Sequence, residues 1–262
     1  MGLDDLFFTT EERVSRDLDE VLTVYHRNRP RNLQVELGPS EIGHACARKL
    51  GFALMREPEC NPEFDPLPSF VGTEAHSGFA DAATAMNERL GRTRYLVEHR
   101  VEVRRGTGGS CDLIDLDYWT VIDHKFLTAE RIKKYMSHPP ESLPLHYRRQ
   151  AHLYGFGARR AGFPIENVML HFLPRGGLLS AKRTFFESYS QEIAEETMAR
   201  YDGIMVSLDV FDVENHPENY RMFPAAASDD CVYCPWYRAK PQTVYECNGT
   251  VLGEQIPIQE AS

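Results

Sequence analysis

Two short runs near the middle of the chain, Ser110-Cys111-Asp112-Leu113-Ile114-Asp115 and Val121-Ile122-Asp123-His124-Lys125-Phe126, constrain the fold most. Each sets β-branched and apolar residues around a polar one, and Asp117-Tyr118 between them suits a turn, so the pair predicts a β-hairpin. Side chains alternate along a strand. Val121, Asp123 and Lys125 therefore share one face, and Ile122, His124 and Phe126 the other. If Asp112 lies on the same side of the neighbouring strand as Asp123, two carboxylates converge beside one lysine, a site for a divalent cation and a water nucleophile. A carboxylate two residues before a lysine is also common on half-exposed strands as a plain ion pair, so the rest of the chain has to decide.

With 262 residues, 42% of them hydrophobic, the chain can bury a substantial core as one domain or as one domain with a small appendage. It carries 29 basic and 39 acidic residues, a net charge of −10, which argues against a general nucleic-acid coat or a polybasic membrane patch. A protein of this charge that binds DNA has to gather its basic residues in a groove. Arg48-Lys49, Arg131 with Lys133-Lys134, Arg148-Arg149 and Arg159-Arg160 are the candidates, with ordinary helix-surface charge as the plain reading of some of them. No apolar run reaches membrane-span length, and the N-terminus lacks a basic region ahead of an apolar one. A soluble, cytoplasmic protein is expected. There the six cysteines are read for metal binding or redox chemistry rather than structural disulfides.

In chain order, Thr9 or Thr10 caps a first packing helix through about Arg27, ended by Pro30. Ser40 is the expected N-cap of a helix to about Met55 that carries Cys46, and the proline-rich stretch from Glu57 to Pro68, with Cys60, reads as a loop. A long helix opens near Ser69 and ends at Gly91, with His76 in its first turns. Leu96 to Arg104 alternates as a strand with Glu98, Arg100, Glu102 and Arg104 on one face; a solvated face is the plainer reading, and Glu98 leaning toward the hairpin site is the other. After Lys125 come a short basic helix over 128–136 and a second helix from about Leu145 to Arg160, on which Gln150 and Tyr154 share a face. Strands over 167–173 and 182–186 and a helix capped by Ser190 complete the core elements, His171 among them. Cys231-Val232-Tyr233-Cys234 stands at metal-ligand spacing after a turn, unlike a redox Cys-x-x-Cys that opens a helix. Cys46 and Cys247 are the candidates to complete a four-cysteine site.

Taken in order, Cys46, Gly72-Thr73-x-x-His76, Asp112, Asp123-x-Lys125, Gln150-x-x-x-Tyr154, Cys231-x-x-Cys234 and Cys247 resemble the PD-(D/E)XK superfamily. Within it they resemble the RecB-like exonucleases with an iron–sulfur cluster that are associated with CRISPR adaptation, and their phage relatives. The resemblance implies an α/β (α+β), restriction-endonuclease-like fold: a central mixed β-sheet flanked by helices, with a Cys-ligated cluster joining N- and C-terminal segments. It divides the chain into an N-terminal helical segment (1–37), a nuclease core (38–228) and a C-terminal cysteine segment and tail (229–262).

By the same resemblance His76, Asp112 and Asp123, with the backbone carbonyl of His124, hold Mg²⁺ or Mn²⁺. Lys125 positions the attacking water, and the Gln150 and Tyr154 helix lines the DNA path, with Tyr147 and Arg148-Arg149 supplying stacking and phosphate contacts. Cys46, Cys231, Cys234 and Cys247 ligate a [4Fe–4S] cluster. One departure concerns Cys247, which follows the Cys-x-x-Cys at a longer distance than in that family, so Cys60 is its substitute and Zn²⁺ the alternative metal. The implied activity is exonucleolytic hydrolysis of single-stranded DNA from an end, 5′ to 3′, in the host cytoplasm if the protein is phage-encoded. A non-catalytic DNA-end-binding subunit is the alternative. A homo-oligomeric ring around the strand, or association with recombination or CRISPR-adaptation proteins, stays open.

Overall fold

The structure is a computed structural model that describes residues 9–28, 37–61, 65–226 and 229–249. Pro30, Pro62 and the tail beyond residue 249, which the sequence reading drew on, lie outside the described residues.

Helix α1 (Thr10–Arg27) starts where its local signal says: Glu12 N–H donates to Thr9 Oγ1 at 3.2 Å and Thr9 N–H donates to Glu12 Oε2 at 2.7 Å. Its expected packing role is not met among the described residues. Val14, Leu18 and Val21 are 52%, 64% and 66% exposed, and an edge contact of Tyr25 on Phe70 joins the helix to its neighbour. The single helix expected from Ser40 is two, α2 (Pro39–Ile42) and α3 (Ala47–Met55). Gly43 breaks it, because a Cβ there would meet Arg149 Cβ and the His146 carbonyl oxygen at 3.1 Å, so close does the chain approach the helix below. Gly38, not Ser40, caps α2, and Cys46 caps α3 by accepting the Lys49 N–H on Sγ at 3.4 Å.

Helix α4 (Leu67–Leu90) ends as expected at left-handed Gly91 (φ 64°). Strands β1 (Tyr95–Arg104), β2 (Thr107–Asp115) and β3 (Thr120–Leu127) follow. Next come α5 (Ala129–Tyr135), α6 (Leu145–Arg160), β4 (Asn167–Pro174), β5 (Arg183–Ser188) and α7 (Gln191–Val210). The five strands form one mixed sheet in sequential order; β3 and β4 are parallel, joined through α5 and α6, and the other pairs are antiparallel. This is the expected mixed sheet with flanking helices.

Helix α6 is the central support. Ala151, Tyr154 and Ala158 pack with Val101, Ile114, Val121 and Val168 of the sheet. A second core joins Leu50 and Phe52 of α3 to Ile204 and Leu208 of α7, and to Tyr220, Phe223 and Trp236 of the C-terminal stretch. Among the described residues no helix is long and apolar enough to cross a membrane.

Candidate active site

The recorded pairing of β2 with β3 runs from Leu113–Ile122 to Asp115–Thr120 and stops there, so the strands part at Asp112 and Asp123. The backbone N–H of His124, facing the gap, donates to Asp112 Oδ2 at 2.6 Å. His76 of α4 sets Nδ1 3.3 Å from the same oxygen. Burial pushes the Asp112 carboxyl up, but His76, the His124 amide and Lys125 outweigh it and hold the group below its ordinary value.

Asp123 is 1% exposed, and burial carries its pKa up to about 6 although Lys125 opposes the shift. The Lys125 ammonium pairs with Asp123 Oδ2 at 2.7 Å and donates to Gln150 Oε1 at 2.9 Å. Gln150 Nε2 in turn donates to the Tyr154 hydroxyl at 3.3 Å. Burial raises the Tyr154 phenol, which therefore stays protonated. The Tyr147 ring supports Lys125 from 4.7 Å; it packs on Tyr135, His146 and Phe172 as well, so it is a wall rather than an open stacking platform. His76, Asp112, Asp123, Lys125, Gln150 and Tyr154 all line one cavity of ≈ 680 Å³.

The His124 imidazole does not line that cavity. It lies among His76, Phe79, Phe126 and His171, with Nδ1 3.0 Å from His171 Nδ1, and burial lowers its pKa to about 4. What His124 brings to Asp112 is its backbone amide.

Glu98 is the residue that the sequence reading underrated. Rather than facing bulk solvent alone, it offers a carboxylate oxygen to a group with His76 and Asp112, all within 4.8 Å of one another. A backbone φ of 46° at Glu98 accompanies this placement, and no residue pattern announces it. The stripe Glu98, Arg100, Glu102, Arg104 was the available hint.

Five arginines of the expected basic groove are engaged within the fold. Arg48 is buried and donates to the carbonyls of Arg221 and Phe223, Arg148 is held by both oxygens of Glu187 at 2.7 Å, and Arg160 donates to the Val103 carbonyl. Arg149 donates to the Gly43 carbonyl, and Arg159 lies over the Tyr189 ring. These arginines hold the fold together.

Cys46, Cys231, Cys234 and Cys247 line a separate cavity of ≈ 330 Å³ with Arg48, Lys49, Arg131 and Trp236. Arg48 Nη1 donates to Cys247 Sγ at 3.5 Å, and Gly249 N–H donates to the same sulfur at 3.4 Å. Burial raises the Cys234 thiol, with Cys46 and Cys247 adding to the effect and Lys49 opposing it. Cys60 is not among the lining residues; its Sγ faces the Tyr237 carbonyl at 3.7 Å.

No protein-family model matches the chain, and no curated protein matches it. Two solved structures are similar to it at low identity. An alkaline exonuclease from Laribacter hongkongensis is 13% identical, with 71% of this chain and 93% of that one covered and a TM-score of 0.45. A phage-related exonuclease from Haemophilus somnus is 13% identical, with 64% and 81% covered and a TM-score of 0.40. Likenesses this distant carry no argument about the reaction, which rests on the residues themselves.

Proposed function

We propose that the chain is a divalent-metal-dependent exonuclease that hydrolyses single-stranded DNA from an end, 5′ to 3′. The observation that carries this reading is the convergence of His76, Asp112, Asp123, Lys125 and Gln150 on one cavity. The donor set fits the cation: an imidazole and carboxylates suit Mn²⁺ while still accepting Mg²⁺. His76, Glu98, Asp112 and Asp123 would hold it. Bound there, the metal would polarise the scissile phosphate and lower the pKa of a water.

The chain's own groups do the rest. Asp112 is kept ionised by the amide of His124 and by His76, so it is ready to bind without first losing a proton. Lys125, fixed between Asp123 and Gln150, offsets the charge that builds on the phosphate and orients the attacking water. Gln150 and Tyr154 keep the ammonium from swinging back toward Asp123 alone.

The cysteine cavity supports a second centre. Four thiols share one space with Arg48, Lys49 and Arg131, whose positive charge would offset the thiolates that a bound metal requires. Among the described residues no three cysteine sulfurs lie within 4.8 Å of one another. A [4Fe–4S] cluster, the centre that the sequence resemblance implies, is the occupant proposed for this space, with Zn²⁺ as the alternative. Cys46, Cys231, Cys234 and Cys247 would ligate it and tie α3 to the C-terminal segment, a structural role beside a nuclease core over 38–228.

The deciding experiment is cleavage of single-stranded DNA labelled at either end, with Mn²⁺, Mg²⁺ or EDTA. Wild-type protein purified without oxygen is compared with Asp123→Asn. Metal-dependent shortening from the 5′ label, reduced about a thousandfold or more in the variant, is expected. DNA binding by folded wild-type protein without any cleavage would replace this reading with a DNA-end-binding subunit.

A further inference from the structure

Arg100 is the one arginine lining the larger cavity. It makes no ion pair or hydrogen bond with another described residue, whereas Arg48, Arg94, Arg104, Arg148 and Arg160 are each bound to a carbonyl or a carboxylate. Neither acidic neighbour on its strand is spare: Glu102 accepts the Gly106 N–H at 2.7 Å, and Glu98 belongs to the group with His76 and Asp112. Arg100 is exposed on the cavity wall, so its guanidinium has five donors available to an incoming anion.

Its place in the sheet says which anion. Arg100 pairs across the ladder with Ser110, and both line the cavity. Glu98 lies between the Val97–Leu113 and His99–Cys111 pairs and so stands opposite Asp112. The Arg100–Ser110 pair is thus two residues along β1 and β2 from the Glu98–Asp112 pair, about 6.8 Å. That step is comparable with the separation of neighbouring phosphates on one nucleic-acid strand.

We propose that Arg100, assisted by the Ser110 hydroxyl, binds the phosphate adjoining the scissile one. A substrate strand would then lie along β1 and β2, with one phosphate at the carboxylates and the next at the guanidinium. The inference rests on the nuclease reading for the identity of the first site, and it assigns Arg100 to substrate binding rather than to bond cleavage.

The test uses single-stranded oligonucleotides, each with one neutral methylphosphonate linkage near the labelled end, against wild type, Arg100→Ala and Arg100→Lys. Arg100→Ala should raise KM about tenfold with little change in kcat, and lower the salt slope of binding by about 0.7 to 1. Arg100→Lys should recover the slope. Wild type should lose about tenfold in affinity for one methylphosphonate position next to the cut, and Arg100→Ala should lose nothing further there. An equal penalty in both proteins, or an unchanged KM in Arg100→Ala, overturns the assignment.

The same coupling is read from Kd by fluorescence anisotropy with Ca²⁺ in place of Mn²⁺, so the two readings fail separately. Coupled binding without cleavage removes the nuclease and keeps the phosphate subsite. Cleavage without coupling does the reverse, and no binding removes both. Unchanged thermal melting of Arg100→Ala shows that the fold is intact.

Discussion

Asp123 shows two opposing forces within one side chain. Lys125 stands 2.7 Å away and favours the carboxylate, yet burial prevails and the pKa rises to about 6. A carboxyl raised in the folded state costs stability as pH rises from its ordinary 3.8 through about 6, and the cost is complete above that. Asp123→Asn in EDTA is therefore expected to melt about 3–6 °C higher than wild type at pH 7.5, with the gap closing toward pH 4. Thermal melts at the two pH values check this; a gap independent of pH would show that burial is not its source. If the proposed nuclease reading holds, the same variant should lose cleavage, and Asp123 then exchanges stability for chemistry. His124 divides its labour differently: its ring serves the packing behind the sheet and its amide serves Asp112.

Among the elements, α6 reaches both the site and the far side of the sheet. Its His152, fully buried, receives the Ser190 N–H on Nδ1 at 3.1 Å and faces Glu187 Oε1 with Nε2 at 3.0 Å, while Arg148 takes both oxygens of Glu187. Burial pushes the Glu187 carboxyl up, but His152 and Arg148 outweigh it and hold the pKa at about 2. A depressed carboxyl stabilises fully above its ordinary value of 4.5, and that contribution is lost as pH falls through about 2. Glu187→Gln should cost about 2 kcal/mol near pH 7 and converge with wild type toward pH 2. Urea melts across that range measure it.

These elements were largely legible in the sequence. The hairpin, the Gly91 stop of α4, the Ser190 cap and the Gln150–Tyr154 face follow from period and capping chemistry, which act over a few residues. The break at Gly43, the turn of Glu98 toward His76 and the capture of Arg148 by Glu187 were not, since each depends on a neighbour remote in the chain. The exposed face of α1 was misread because its apolar spacing signals a helix, and the partner such spacing promises is not among the described residues.

At the scale of the whole molecule, the thiol cavity and the carboxylate cavity lie side by side. Ser40 and Glu41 of α2 line both, and Tyr147 borders the thiol cavity while supporting Lys125 in the other. Cys46→Ser or Cys231→Ser is expected to lose bound iron and sulfide, melt about 10 °C lower and lose cleavage, whereas Cys60→Ser keeps all three. Iron and sulfide assay with thermal melting tests this, and a stable, fully active Cys231→Ser would remove the centre's structural role. The four-residue helix α2 is a party wall between the two chambers. Oxygen that attacks the thiol side should be felt on the phosphate side while most of the sheet and helices stand, so a sample ageing in air would fall silent before it unfolds.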